Sequence, residues 1–418
     1  MKFITTNKEM LRAYNWAVEC AMGYVKEGYP VGPFYEAALP DRNGFCMRDM
    51  SHQSVGGHYL GLDEHNKNMI HKFAENVSES KDYCTFWEIV FDGTPYYGDY
   101  TSDDDFWYNL PANFDVVRTC YELYNRTGDK SYFTDPVNLE FLRISINEYI
   151  ERWDRDSDGI VDRVDEDYNR GICSYDEHGK KGYMCALDTY VLEFAAFDAM
   201  AKIYGILGRY TESAKAREKA EWLRDGIYKN WWDNDSKLFV SKLNKDGSFG
   251  GQFSITNSGF PIRCNMVDDE HRVAQMNYIW KNSASIQIEE QTYLAELLWK
   301  CRRNEDAMTV ISRITADGYP RREYPEVSYT TVENMVEGYM GIRPNFDENT
   351  IETKFGGAEG DIAEITDVPV FGGTVSVKHE RADKTVFTNN TGKAVKWFCK
   401  TDGGEKIIEV ADGETVEG

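Results

Sequence analysis

The chain has 418 residues, 28% charged and 41% hydrophobic, enough for one large domain or two smaller ones. Its 47 Lys and Arg face 71 Asp and Glu, a net charge of −24, which excludes the basic footprint that nucleic acid or an anionic membrane surface requires. No stretch nears the ~18 consecutive apolar residues of a membrane span, Met1 to Glu9 begins no signal-peptide core, and nine cysteines without a CxxC pair argue against a disulfide framework or zinc knuckle, so reduced thiols and a cytoplasmic enzyme are expected.

From about residue 7 to residue 341 the pattern is helical. The spacing predicts roughly eleven segments: 7–27, 50–60, 63–78, 108–126, 133–153, 186–206, 211–229, 268–281, 286–301, 304–315 and 329–340. In 137–153, Leu139, Leu142, Ile146, Ile150 and Trp153 recur at three- and four-residue spacing, the mark of a half-buried helix. The 186–206 segment is apolar nearly all round, through Leu187, Val191, Leu192, Phe194, Phe197, Met200 and Ile203, so burial is expected. The 211–229 segment keeps only the stripe Ala216, Ala220, Leu223 and Ile227 and belongs outside. A buried helix followed by an amphipathic one is the rhythm of a two-layer helical barrel. After Pro344 the composition changes: Val368, Val370, Phe371, Val375, Val377 and the run Val386 to Gly392 read as short strands with turns between them. The expected division is a helical barrel over 1–344 and a small β segment, 345–418, packed on it.

Four acid- and aromatic-rich loops carry the candidate chemistry. Aromatics reach 14% with 27 Tyr and 10 Trp, an excess that suits stacking on sugars or bases. In Phe45 to Gln53, the adjacent Arg48 and Asp49 can hydrogen-bond two vicinal sugar hydroxyls; the plainer alternative is an Asp cap with a solvated Arg. His52 and Gln53 belong to the same candidate set. In Thr85 to Asn109, Asp105 and Trp107 are the expected pocket residues, and one of Asp103, Asp104 and Asp105 is expected to cap a helix.

The third loop runs from Trp153 to Met184. Asp154, Asp156, Asp158, Gly159, Asp162 and Asp165 occupy positions 1, 3, 5, 6, 9 and 12 of an EF-hand-like loop. Position 12 is Asp rather than a bidentate Glu and the loop is single, so a tight acidic turn is expected and no metal is assigned. Beyond it, Asp176 follows Tyr175 just ahead of the buried helix. A carboxyl half-buried against a ring tends to hold its proton longer, as a general acid must. The fourth loop, Gly318 to Tyr329, sets Glu323 and Glu326 among tyrosines and prolines. One carboxylate there can serve as base toward a water, against the alternative of surface acids in an acidic chain.

The order of these elements resembles the six-hairpin glycosidases, the (α/α)6-barrel enzymes that include trehalase, the mannosyl-oligosaccharide glucosidases and the α-L-rhamnosidases. The segments that carry the likeness are Leu187-Asp188-Thr189-Tyr190 through Trp231-Trp232-Asp233-Asn234, then Leu110-Pro111-Ala112 with Tyr124 to Asp129, and Glu337 to Pro344 leading into strands. The resemblance implies a mainly α fold, an (α/α)6 double-layer barrel with a small C-terminal β-sheet or sandwich segment. It also implies that Asp176 is the acid, that Glu326 is the base, and that Arg48-Asp49 hold the non-reducing sugar. Where those relatives carry Glu-Ser-Gly before the acid, this chain reads Gly171-Ile172-Cys173-Ser174.

The expected activity is therefore an inverting exo-glycosidase on an oligosaccharide or glycoside. Asp176 would protonate the glycosidic oxygen and Glu326 would activate a water, with carboxyls about 6.5–9.5 Å apart. Arg48, Asp49, His52, Gln53, Asp105, Trp107, Tyr175 and Glu323 would bind the sugar. No cofactor, nucleic acid or membrane partner is expected, and a homo-oligomer stays open. Alternatives are a sugar epimerase or unsaturated-uronide hydrolase on the same fold, or a carbohydrate-binding subunit without catalysis.

Overall fold

The computed structural model describes residues 1–163, 169–176, 182–250, 255–381 and 383–418. In chain order its α-helices are α1 (Lys8–Gly23), α2 (Met47–Tyr59), α3 (Asp63–Ala74), α4 (Pro111–Thr127), α5 (Ser131–Thr134), α6 (Pro136–Ser145), α7 (Glu148–Trp153), α8 (Leu187–Ile206), α9 (Tyr210–Asn230), α10 (Ile255–Arg263), α11 (Asp269–Asn282), α12 (Ile288–Lys300), α13 (Asn304–Ile314) and α14 (Pro325–Glu333). Their starts are chemically marked. Asn7, Asp135 and Asp268 accept first-turn N–H groups of α1, α6 and α11, Gln287 and Glu290 form a reciprocal capping box on α12, and α4, α6 and α14 carry proline in the first turn.

Six helices touch in a closed cycle: α2 packs on α4, α4 on α8, α8 on α10, α10 on α12, α12 on α14, and α14 back on α2. A second set lies against them, with α9 on α8, α11 on α10, α13 on α12, α3 on α2 and α1 on α14. The burial follows the side chains. Along α8 nearly every residue from Leu187 to Tyr204 is buried, whereas α9 buries one stripe, Ser213, Ala216, Ala220, Leu223 and Ile227.

Two helical expectations change. The segment 133–153 is not one helix. Ser145 Oγ donates back to the Phe141 carbonyl at 2.8 Å and Asn147 Nδ2 to the Arg143 carbonyl at 2.7 Å, bonds that compete with helix continuation, and α6 gives way to α7 there. The helix α10 has no counterpart in the expected set. Ser258, Gly259 and Pro261 read as loop chemistry, yet Asn257 to Arg263 are all buried, and packing between α8 and α12 overrides local preference.

The C-terminal strands form two sheets. One, of four strands, orders Ile342–Asn345, Thr350–Lys354, Val395–Thr401 and Gly404–Val410. The other, of five, begins with Lys2–Thr5 from the opposite end of the sequence and continues through Ala363–Val370, Gly373–Arg381, Lys384–Asn390 and Thr415–Glu417. Lys2–Thr5 pairs antiparallel with Ala363–Thr366, so a boundary at 344 does not separate the β strands cleanly from the helical residues. Phe3, Ile365, Phe387 and Trp397 share one apolar cluster with Leu298, Val332 and Met335 of the helical body.

Candidate active site

A cavity of about 460 Å³ lies at the N-terminal ends of α2, α12 and α14 and is closed by the segments that precede α4 and α8. Carboxyls (Asp49, Glu88, Asp99, Asp176, Glu289, Glu290) and rings (Trp87, Trp107, Tyr175, Tyr293, Tyr324) share its wall. Helix N-termini carry partial positive charge, which favours acids at this end.

On one side Arg48 and Asp49 stand in the first turn of α2. Arg48 donates to Asp49 Oδ1 from Nε at 3.0 Å, its Nη2 lies 2.9 Å from the same oxygen, and the Tyr324 hydroxyl donates to Asp49 Oδ2 at 2.7 Å. Asp49 is 2% exposed. Cys46 occupies the N-cap and makes no side-chain cap bond, so Asp49 is the centre of a charge-assisted cluster rather than a helix cap.

Glu88 faces the same space from the short strand Glu88–Val90, which pairs with Gly44–Cys46. Its Oε2 takes a 2.5 Å bond from Arg42, whereas its buried Oε1 has no hydrogen-bond partner among the described residues. Burial pushes the Glu88 carboxyl up to about 7; Arg42 opposes this, and Asp99 and Asp49 add to it.

Tyr175 and Asp176 come from the segment ahead of α8. The Tyr175 N–H donates to Asp188 Oδ2 at 2.6 Å and its hydroxyl to Asp115 Oδ2 at 3.2 Å. Asp188 is itself buried, which raises its carboxyl to about 7, with the Tyr175 N–H and Ser174 hydroxyl pulling the other way. The Asp176 N–H donates to Ser174 Oγ at 2.8 Å, and the Asp176 carboxylate lies 3.5 Å from Lys242 Nζ. Tyr175 is thus pinned at both ends, with Asp176 set into the cavity wall.

A sealed layer lies beneath. His52 Nδ1 and Glu326 Oε1 are 2.5 Å apart, and the His52 ring stacks on Tyr293 at 3.6 Å and 4°. Burial lowers His52 well below the ordinary imidazole range and raises Glu326 well above the ordinary carboxyl range. Gln53, with its amide oxygen toward α14, accepts the Glu326 N–H at 2.9 Å and donates to the Glu36 carbonyl at 3.3 Å.

By sequence, no family model matches this chain and no curated protein is similar to it. By structure it is similar to an α-L-rhamnosidase from Dictyoglumus thermophilum (TM-score 0.69, 12% identity, all of this chain and 50% of that one). It is also similar to a native α-L-rhamnosidase from Aspergillus terreus (TM-score 0.66, 12% identity, 100% and 50%) and to a putative kojibiose phosphorylase from human microbiome (TM-score 0.66, 11% identity, 100% and 63%). This chain has their six-hairpin fold. It spans about half the length of the two rhamnosidases.

Within that fold, Arg48, Asp49, Trp107, Tyr175 and Asp176 meet on one cavity. His52, Gln53 and Glu326 do not line it; all three are buried beneath it. Asp105 does not reach it either. In the strand Asp105–Phe106 the Phe106 ring turns inward, so Asp105 turns to solvent, and Asp99 stands in the wall instead. Glu323 is exposed while its neighbour Tyr324 is buried, and the Glu323 carbonyl accepts from the Tyr24 hydroxyl. Glu177 and Asp165 lie outside the described residues.

The residues that sequence reasoning missed are Arg42, Glu88, Asp99, Glu289, Glu290 and Tyr324. Glu88 had a readable signal, an acid between Trp87 and Ile89 in an otherwise apolar strand. Glu289 and Glu290 look like ordinary acids at a helix start. Glu290 does cap α12, and Glu289 pairs with Arg321 at 2.6 Å.

Proposed function

We propose that this chain is a glycoside hydrolase, exo-acting and inverting, built as a two-layer (α/α)6 barrel whose cavity takes the terminal sugar of an oligosaccharide or glycoside. The observation that carries this reading is the meeting of Glu88 and Asp176, from different loops, in one cavity walled by Trp87, Trp107 and Tyr175. The volume suits a small ligand, and rings beside carboxyls suit the faces and hydroxyls of a sugar. The likeness to rhamnosidases supports the same reading.

In this mechanism Glu88 protonates the glycosidic oxygen. With its carboxyl near 7 it still holds a proton at neutral pH and can release it. Asp176, ion-paired with Lys242, takes the proton of the attacking water on the opposite face of the ring. Arg48 and Asp49 bind vicinal hydroxyls, and Trp107 stacks on the ring. This changes the roles expected from sequence. Glu88 is the more deeply buried of the two carboxyls, and burial favours the protonated form an acid needs. Glu326 is enclosed and does not line the cavity, so it serves by fixing His52 and, through it, Tyr293.

The epimerase alternative calls for histidine in the pocket. His52 lies beneath the cavity, and His58 is bonded to Asp63 and the Pro369 carbonyl. Nine free thiols support a reducing, cytoplasmic setting, and no described helix is long and apolar enough to cross a membrane.

The test is a panel of aryl glycosides, rhamnosides included, with the product anomer followed by NMR. Glu88→Gln should lose about 10²–10⁴-fold on poor leaving groups and far less on good ones, and Asp176→Asn should lose that much on both. Equal, small losses on every substrate would overturn the assignment. A retained anomer would make the second carboxylate a nucleophile.

A further inference from the structure

The acidic loop after α7 plays no part in the cavity, yet Asp154, Asp156, Asp158 and Asp162 each bring a carboxylate oxygen within 4.8 Å of the others. Much of the loop explains itself. Asp154 accepts the N–H groups of Asp158 at 3.1 Å and Gly159 at 2.8 Å, and Asp158 accepts that of Ile160 at 2.8 Å; such bonds shape a turn and require no ligand.

Asp162 is different. It is 1% exposed, and its Oδ1, shut off from water, has no hydrogen-bond partner among the described residues. Its Oδ2 accepts the Arg155 N–H at 3.3 Å. An unsatisfied, buried oxygen on a carboxylate that gathers with three others is costly unless a cation joins it. The nearby Lys219 ammonium is spent elsewhere: it donates to the Gly159 carbonyl at 2.5 Å and sits 3.6 Å from Glu193.

We propose that these four aspartates bind one Ca²⁺ ion. Positions 1, 3, 5 and 9 of an EF-hand-like register supply hard oxygen donors with no nitrogen or sulfur among them. An irregular carboxylate cage suits Ca²⁺ better than Mg²⁺, which demands near-octahedral geometry. The ion pins the loop where it matters to the cavity rim. The Asp162 N–H closes the loop on the Trp153 carbonyl at 2.9 Å, the Val161 carbonyl accepts the Cys173 and Cys185 thiols at 3.3 and 3.5 Å, and the Arg163 N–H donates to the Met184 carbonyl at 2.7 Å. These contacts anchor the strand segment that leads to Tyr175 and Asp176 and the one that leads into α8. The site does not depend on the glycosidase reading.

The test is calorimetric titration of the chelator-treated full chain with CaCl₂, alongside Tb³⁺ luminescence excited through Trp153, which adjoins Asp154. One ion per chain should bind with Kd of about 10⁻³ M or tighter, and Tm should rise with Ca²⁺. The double variant Asp156→Asn, Asp158→Asn changes two exposed side chains and should weaken binding by roughly 10–100-fold. Absence of both heat and a Tm shift in the unaltered chain at ~10 mM Ca²⁺ would overturn the site, as would unchanged affinity in the variant. Tighter binding of Mg²⁺ than of Ca²⁺ would overturn the choice of ion.

Discussion

His52 Nδ1 and Glu326 Oε1 share a 2.5 Å hydrogen bond in a space that solvent does not enter. Burial pushes the imidazole down and the carboxyl up, each in the direction of its neutral form. The partners of the pair spread the constraint: Tyr293 lies on the ring, and Gln53 holds the Glu326 backbone.

Glu326→Ala should therefore destabilise the chain by about 2–5 kcal/mol, from an orphaned imidazole and a cavity together. Glu326→Gln keeps a hydrogen-bonding group of the same size and should cost about 1–2 kcal/mol. Urea unfolding separates the two. Glycosidase activity of Glu326→Gln should fall far less than that of Asp176→Asn; a loss of 10²–10⁴-fold would return the base role to Glu326.

Glu88 gives stability a pH dependence of known sign. Its carboxyl titrates near 4.5 when unfolded and about 7 when folded, so the folded state binds the proton more tightly. That contribution is fully present below pH 4.5 and is lost as pH rises toward and through 7. Asp188, raised from 3.8 to about 7, acts in the same direction. His52 acts in the opposite one, since a depressed imidazole costs stability as pH falls below 6.5. Glu88→Gln should flatten the decline between pH 4.5 and 7 by roughly 1–3 kcal/mol, measured as unfolding free energy across that range. An unchanged slope would mean that Glu88 is ionised at the ordinary pH.

Arg48 and Asp49 should act on binding more than on turnover. Arg48→Lys keeps the charge but loses the planar fork that meets Asp49 from Nε and Nη2. A drop of roughly 10–100-fold in kcat/KM, carried mainly by KM, is expected from the loss of a charge-assisted contact. Tyr324→Phe removes the hydroxyl that holds Asp49 Oδ2 and should give a smaller shift of the same kind. A fall in kcat at unchanged KM for Arg48→Lys would place Arg48 on the reacting atoms instead.

Trp107 should contribute through its face. Its indole Nε1–H is already committed to Asn109 Oδ1 at 2.8 Å, which leaves the ring as the part a sugar can use. Trp107→Phe should retain most sugar affinity and Trp107→Ala should lose it, by about 0.5–1.5 kcal/mol beyond lost area, read by titration with the product sugar. Equal affinities would remove Trp107 from the sugar site.

The layering was legible because α8 and α9 differ in the plainest way a sequence can show, apolar all round against a single stripe. Arg48 and Asp49 were legible as an adjacent cation and acid at a helix start, and Trp107, Tyr175 and Asp176 because acids beside rings in a loop are unusual enough to notice. Asp105 and Glu323 were each misjudged beside an aromatic that turns inward: in the strand Asp105–Phe106 the neighbour alternates outward, and Glu323 lies exposed in the turn ahead of α14 while Tyr324 is buried. Glu326 fails differently. Nothing local says that an acid in the first turn of a helix will be covered by α2, because the covering residues, His52 and Gln53, lie far away in sequence. The helix α10 was hidden by Ser258, Gly259 and Pro261, residues that stay helical there only because α8 and α12 enclose them.

The strand Lys2–Thr5, which lies beside Ala363–Thr366, has a consequence for biosynthesis. During translation this short segment leaves the ribosome long before its partner exists, and it must wait, unpaired, until Ala363–Thr366 has followed. The five-stranded sheet is therefore completed only once both distant segments are present, and Lys2–Thr5 acts as a latch on Ala363–Thr366. Until that latch closes, Ala363–Val370 presents an open row of backbone donors and acceptors, the kind of edge on which nascent chains stick to one another. At the other edge of the same sheet Thr415–Glu417 pairs with Val386–Thr388.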